Sequence, residues 1–222
     1  MPRPRFQKMD PARRHALLDA AASELAAKGY EAASVNVILE AAGFSKGSFY
    51  YYFDDKADLA AEVLLEAYAP VLAVIEEPTP NTIDEFWDEV HRLQRRSLDV
   101  MEASPRTFQL ISRTGAAVMS DPALGKRLLP MIAEARQKAH AVWTQGQRLG
   151  AVRDDLPVDV LMATVEAVKR AAWQAQFPLH HVATVDEVEA FSEQMKDFVR
   201  RLTEPRPSAP STTAVSASSP AV

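Results

Sequence analysis

The stretch SVNVILEAAGFSKGSFYYYF, residues 34–53, places two short apolar-periodic segments on either side of a glycine. Ser34 can cap a first short helix carrying Val35, Ile38 and Ala42; Gly43 supplies the turn; Ser45 can cap a second short helix. Two short helices about a glycine turn have the layout of a helix-turn-helix, whose second helix enters the DNA major groove while the first crosses the backbone. In that second helix Lys46 and Ser48 can donate to base edges or phosphates. Gly47 costs roughly 1 kcal/mol relative to alanine inside a helix, but without a side chain it lets the backbone come close to DNA. Phe49 and Phe53, four residues apart, share a face and should anchor the helix inward. Tyr50, Tyr51 and Tyr52 then fan around the rest of the circumference, where a ring and a hydroxyl can meet sugar, base or phosphate. One or two of them packing on neighbouring helices is the competing reading.

The surrounding chain reads as helical. Asp10–Pro11 opens a helix over 11–28 with Leu17, Leu18, Ala21, Ala22 and Leu25 on one stripe, ending at Gly29. Another begins near Asp54 or Asp55 and runs to about residue 76, bent at Pro70. Beyond Pro78 and Pro80, helices are expected at 82–103, 105–119, 121–149, 157–177 and 184–203, punctuated by Asn81, Pro105, Asp121–Pro122, Gly150 and Pro157. No segment alternates as a strand. The expected class is all-α: an N-terminal three-helix helix-turn-helix domain followed by a C-terminal helical body. The expected divisions are a basic arm over 1–10, the reading head over 11–60, the helical body over 61–203 and a disordered Pro/Ser/Thr/Ala-rich tail over 204–222.

The 222-residue chain has 47% apolar and 25% charged residues, ordinary globular usage. It has no cysteine, which excludes disulfides and thiolate chemistry and fits a cytoplasmic protein. No apolar run reaches the roughly 18 residues of a membrane span, and no signal peptide is expected. The net charge of −5 is unevenly spread. Residues 1–53 hold seven Lys/Arg against five Asp/Glu, and the remainder eighteen against twenty-five. Arg3, Arg5, Lys8, Arg13 and Arg14 face Asp10 alone in the first fourteen residues, a cationic end on an acidic body.

Residues 29–59, GYEAASVNVILEAAGFSKGSFYYYFDDKADL, resemble the DNA-binding domain of the TetR/AcrR transcriptional regulators. The matches are Gly29–Tyr30, Ser34–Val35, Ile38, Ala42–Gly43, Ser45, Gly47, Tyr50, Tyr52–Phe53, Lys56 and Leu59. Leu39 and Phe44 depart from the pattern, standing where the family usually has alanine and often has valine or isoleucine. The resemblance implies that Ser34 and Lys56 touch phosphates, that Lys46, Gly47, Ser48 and Tyr50 face bases, and that Tyr51 and Tyr52 reach the sugar–phosphate backbone; Ser45 is expected among the DNA-binding residues with them. GQRLGAVRDDLP, residues 146–157, is similar to a stretch often seen between the family's later helices.

The resemblance also implies that the helical body is a ligand-binding and dimerisation domain, and with it a homodimer on double-stranded operator DNA, a small-molecule effector and repression; neither cofactor nor metal is expected. Dimer candidates on the last two helices are Val160, Leu161, Thr164, Val165, Val168 and Ala172 with Val188, Phe191, Met195, Phe198 and Leu202; ordinary intrachain packing explains their periodicity equally well. Pocket candidates are Trp87, His91, Phe108, Met119, Met131, Trp143, Met162, Trp173 and Phe177, although aromatics and methionines in a bundle are more often core. His180–His181 lie adjacent in an expected loop, a poor arrangement for a metal. A helical enzyme is the rival class, and the chain has no P-loop, glycine fingerprint, G-x-S-x-G or H-E-x-x-H. A ligand-independent architectural DNA-binding protein is a third reading.

Overall fold

The computed structural model describes residues 3–75, 80–177 and 183–205, without the side chains of Ala116 and Met119. All regular structure in these residues is helical: α1 (Pro4–Gln7), α2 (Pro11–Ala32), α3 (Val35–Ala41), α4 (Lys46–Tyr52), α5 (Lys56–Ala73), α6 (Ile83–Ala103), α7 (Pro105–Ser120), α8 (Pro122–Arg148), α9 (Val158–Gln176) and α10 (Val185–Thr203). The caps account for the boundaries. Side chains of Asp10, Ser34, Ser45, Asp55, Thr82, Ser104, Asp121 and Thr184 each accept a backbone N–H in the first turn of the helix they precede. Thr184 and Glu187 complete a reciprocal capping box at α10. The residues expected as a tail lie outside the described region from 206 onward.

Two boundaries differ from the sequence reading. Within α2 the helix breaks at Gly29, φ 75°, and then resumes for one more turn to Ala32. In the basic arm, Pro4 opens a helical turn that the run of charges conceals, and its Phe6 is buried.

Two apolar clusters organise the chain. The first includes Phe6, Leu17, Leu25, Ile38, Phe49, Phe53, Leu59 and Leu64, and continues without a break into Leu110 of α7 and Leu124 and Leu128 of α8. The second gathers Phe86 and Trp87 of α6, Val142 of α8, Ala151 and Val152 after it, and Leu161 of α9. The N-terminal helices α1–α5 therefore rest on α7 and α8, while the far half of α8 carries the second core.

The segment around Gly146 is structural. A Cβ there would stand 2.5 Å from Phe86 Cζ and 2.6 Å from Val152 Cγ2, so glycine is what admits the Phe86 ring. The Gly146 carbonyl accepts from Ala151 and Val152, Gly150 adopts φ 72°, and Gln147 Nε2 donates to the Arg153 and Leu156 carbonyls. These bonds close the end of α8 and turn the chain into α9.

Candidate nucleic-acid interface

The turn between α3 and α4 is built by backbone bonds. Gly43, φ 68°, takes the left-handed conformation that ends α3, and the N–H of Phe44 then donates to the Leu39 carbonyl at 2.8 Å. Leu39 and Phe44, the two residues larger than the family pattern, are both buried, and the Arg13 guanidinium lies 4.9 Å over the Phe44 ring.

Helix α4 has an inward and an outward side. Phe49 and Phe53 are buried and their rings stack at 5.5 Å. Lys46, Gly47, Tyr50 and Tyr51 are exposed, and Lys46 has no ion-pair partner among the described residues. Ser45 Oγ accepts the Ser48 N–H at 3.2 Å and lies 2.7 Å from Ser48 Oγ, holding both hydroxyls at the start of the helix. Ser34 caps α3 with its hydroxyl oxygen while its own N–H donates to Glu24 at 3.1 Å; its hydroxyl hydrogen is still able to donate outward.

The three tyrosines fall in different places. Tyr50 is half exposed and meets Phe49 edge-on at 5.2 Å. Tyr51 is also half exposed. Tyr52 is half buried, edge-on to Tyr51 at 4.9 Å and to Phe6 at 6.5 Å. Tyr52 thus packs as well as projects.

Lys56 is placed differently from the other candidates. Its ammonium donates to the carbonyls of Tyr30 at 2.7 Å, Glu31 at 3.0 Å and Ala33 at 3.4 Å, and sits 4.8 Å from the Tyr30 ring centre. Those carbonyls belong to the last turn of α2 and to its C-cap residue Ala33, where no further helical turn supplies donors. To bind a phosphate Lys56 would have to release them. Burial and the neighbouring Asp121 carboxylate push the Tyr30 phenol up to about 12.

A second polar joint ties the head to α8. Asp58, fully buried, accepts from Arg127 Nε and from the Asp54 N–H at 2.9 Å, while Arg127 Nη2 donates to Asp55 at 2.8 Å. Burial would raise the Asp58 pKa, yet these hydrogen bonds and the guanidinium hold it below the ordinary carboxylate value. Nothing in the local sequence pairs positions 58 and 127; only the packing of α5 on α8 does.

In the far bundle, three pocket candidates converge. Trp87, His91 and Trp143 line a cavity of about 100 Å³ between α6, α8, α9 and α10, with Lys169, Met195 and Lys196. Burial, assisted by Lys196, lowers the pKa of His91. The other candidates lie apart from it. Phe108 and Met162 are buried, Met131 packs against the head-side core, and Trp173 contacts Phe177 at 4.3 Å and Phe191 at 5.0 Å. The Met119 side chain and His180–His181 are outside the described residues. Among the described residues no cluster of three or more His, Asp or Glu could hold a metal.

The dimer candidates divide by face. Leu161, Val165 and Phe191 are buried within the protomer; Val168, Ala172, Val188, Met195 and Leu202 are half buried. Val160, Thr164 and Phe198 point outward. Four-residue steps separate Val160, Thr164 and Val168, and the same steps offset by one join Leu161 to Val165, so α9 has one outward and one inward stripe.

Residues 17–63 match the family of bacterial regulatory proteins, tetR family. The chain is 30% identical over 161 residues to the HTH-type transcriptional repressor AcnR of Corynebacterium diphtheriae, covering 70% of this chain and 76% of that protein. The chain belongs to the TetR family. This TetR-family protein is a DNA-binding transcriptional regulator. Over 52 residues, 23% of each chain, it is 48% identical to the transcriptional regulator AcuR of Cereibacter sphaeroides. Its fold is similar to that of Salmonella enterica GusR, with a TM-score of 0.62 at 18% identity over 87% of this chain and 97% of that one. It is also similar to the TetR family regulator PfmR of Thermus thermophilus, with a TM-score of 0.57 at 19% identity over 87% and 97%. Family members bind operator DNA and act as dimers. No helix among the described residues is long and apolar enough to cross a membrane.

Proposed function

We propose that this regulator is a homodimeric repressor whose α4 reads an operator and whose helical body releases it when a small molecule binds. The observation that carries the reading is the division of α4: Phe49 and Phe53 lock it to the core while Lys46, Gly47, Ser48, Tyr50 and Tyr51 are presented along its outer side. In this reading Lys46 and Ser48 contact base edges, Tyr50 covers a base or sugar, and Ser34, Tyr51 and Tyr52 hold the backbone. The residues through about 60 act as the reading head and those up to 203 as the sensing and pairing body.

The cavity beside Trp87, His91 and Trp143 suits the start of an effector site. At about 100 Å³ it is smaller than typical ligand pockets of ~300–1,000 Å³, so a ligand of ordinary size has to spread the helices around it. Spreading α8 would act on Arg127 near its other end, and through it on the first turn of α5. A ligand shifts the head only by its differential affinity for the two arrangements. For pairing, the outward Val160, Thr164 and Phe198 are the strongest surface; Phe198→Glu should yield folded monomers by sedimentation, with a steep loss of operator affinity.

The deciding experiment selects duplexes from a randomised library with the purified protein. Lys46→Ala should then cost about 1–3 kcal/mol on the enriched sequence and much less on scrambled DNA. A folded Lys46→Ala/Ser48→Ala variant that keeps full affinity and specificity would overturn the assignment. Binding of DNA without enrichment of any sequence would instead favour the architectural alternative.

A further inference from the structure

Residues 3–9 are more than a charged tail. Phe6 is 1% exposed, with its ring 4.8 Å from that of Phe53, and Met9 is buried beside it in the same cluster. The N–H of Arg3 donates to the Tyr52 carbonyl at 2.8 Å, satisfying an acceptor at the end of α4 that the helix itself leaves open. The Arg3 side chain grips Asp54 through Nε at 3.1 Å and Nη2 at 2.7 Å. An apolar plug, a backbone bond and an ion pair therefore seat α1 against the carboxyl end of α4.

Arg5 is the group left over. Its guanidinium carbon lies 4.6 Å from the centre of the Tyr51 ring, on the exposed side of α4. Among the described residues it has no carboxylate partner; Asp54 pairs with Arg3. A guanidinium lying over a ring still has N–H donors to offer a second partner, and its planar fork matches a phosphate. Tyr51 is itself held edge-on by Tyr52, and Tyr52 by Phe6. Rings thus run from the core to Arg5 and limit its motion before any ligand arrives, which lowers the ordering cost of binding.

The geometry points to a second DNA-binding element: α1 presents Arg5, stacked on Tyr51, to a phosphate of the duplex beside the segment read by α4. Phe6 is its positioning residue. The inference rests on the reading of α4 as the DNA-facing helix, and it places the contact on the phosphodiester backbone, where it adds affinity independent of sequence.

The test uses the full chain in fluorescence anisotropy with two duplexes, one enriched by wild-type protein from a randomised library and one scrambled. Each is titrated between ~50 and ~200 mM salt. Arg5→Gln should weaken both duplexes alike and reduce the salt slope by about one unit per bound protomer. The affinity deficit should then shrink roughly three- to fourfold per contact across that range. Arg5→Lys should keep most of the slope. Removing the Arg5 side chain in a Tyr51→Ala background should have a smaller effect than in wild type, whereas Tyr51→Phe should preserve the coupling. Phe6→Ala should reproduce the Arg5→Gln slope, and Phe6→Leu should restore it. A folded Arg5→Gln protein with wild-type affinity and slope on both duplexes overturns the proposal and leaves α4 untouched. If no duplex is enriched, the operator reading fails instead, and the scrambled duplex still decides the role of Arg5.

Discussion

Replacing Lys56 by methionine keeps its stem and removes only the ammonium, which separates two roles for this residue. In the structure that ammonium holds the carbonyls of Tyr30, Glu31 and Ala33 at 2.7, 3.0 and 3.4 Å, tying the start of α5 to the end of α2. Hydrogen bonds to a charged donor contribute about 1.5–3 kcal/mol. Two of the three are of normal length and the third is long. The site is half buried, so water can replace part of what is lost. Stacking over the Tyr30 ring adds about 0.5–1 kcal/mol. The expected loss is about 1.5–3 kcal/mol, or roughly 3–12 °C in Tm for a chain of this size. Urea unfolding followed by tryptophan fluorescence gives the first quantity, and the salt slope of DNA binding gives a second. A structural Lys56 predicts a clear loss of stability with the slope nearly unchanged. If Lys56→Met melts like wild type and the slope falls by about one unit, Lys56 releases its carbonyls to hold a phosphate, and the structural reasoning is refuted.

Gly146→Ala should destabilise the protein although alanine is the better helix former. Overpacking against Phe86 and Val152 of about 1–3 kcal/mol exceeds the ~1 kcal/mol propensity gain, and a compensating Phe86→Leu should recover stability in calorimetry. Arg127→Met leaves the Asp58 carboxylate buried without its guanidinium and should cost about 3–5 kcal/mol in urea unfolding; adding Asp58→Asn should recover part of it, and no recovery would mean the stem of Arg127 matters more than its charge. His91 has a lowered pKa, so the unfolded chain binds its proton first as pH falls. Its neutral form stabilises the fold above the ordinary value of 6.5, and that contribution is lost as pH falls from there through the folded value. His91→Gln should therefore flatten this limb of the stability curve, measured as Tm against pH.

Residues 34–53 determine the head because their signals are local. A serine before each short helix, a glycine at the turn and a four-residue step between phenylalanines all act within one or two turns of chain, and each is found in its place. The long helices of the body were legible for the same reason, since period and punctuation lie within each segment. The turn at Pro4–Gln7 was not, because it is stabilised by Phe53 and Tyr52, more than forty residues away. The direction of Lys56 was equally hidden: whether an ammonium meets phosphate or carbonyls depends on where α2 ends relative to α5. So was the pairing of Asp58 with Arg127, made only when α8 packs on α5. In α9 and α10 the sequence presents one continuous apolar band. Only the packed bundle divides it into Leu161, Val165 and Phe191 inside and Val160, Thr164 and Phe198 outside, because an angle about the helix axis has no inward direction until a neighbouring helix supplies one.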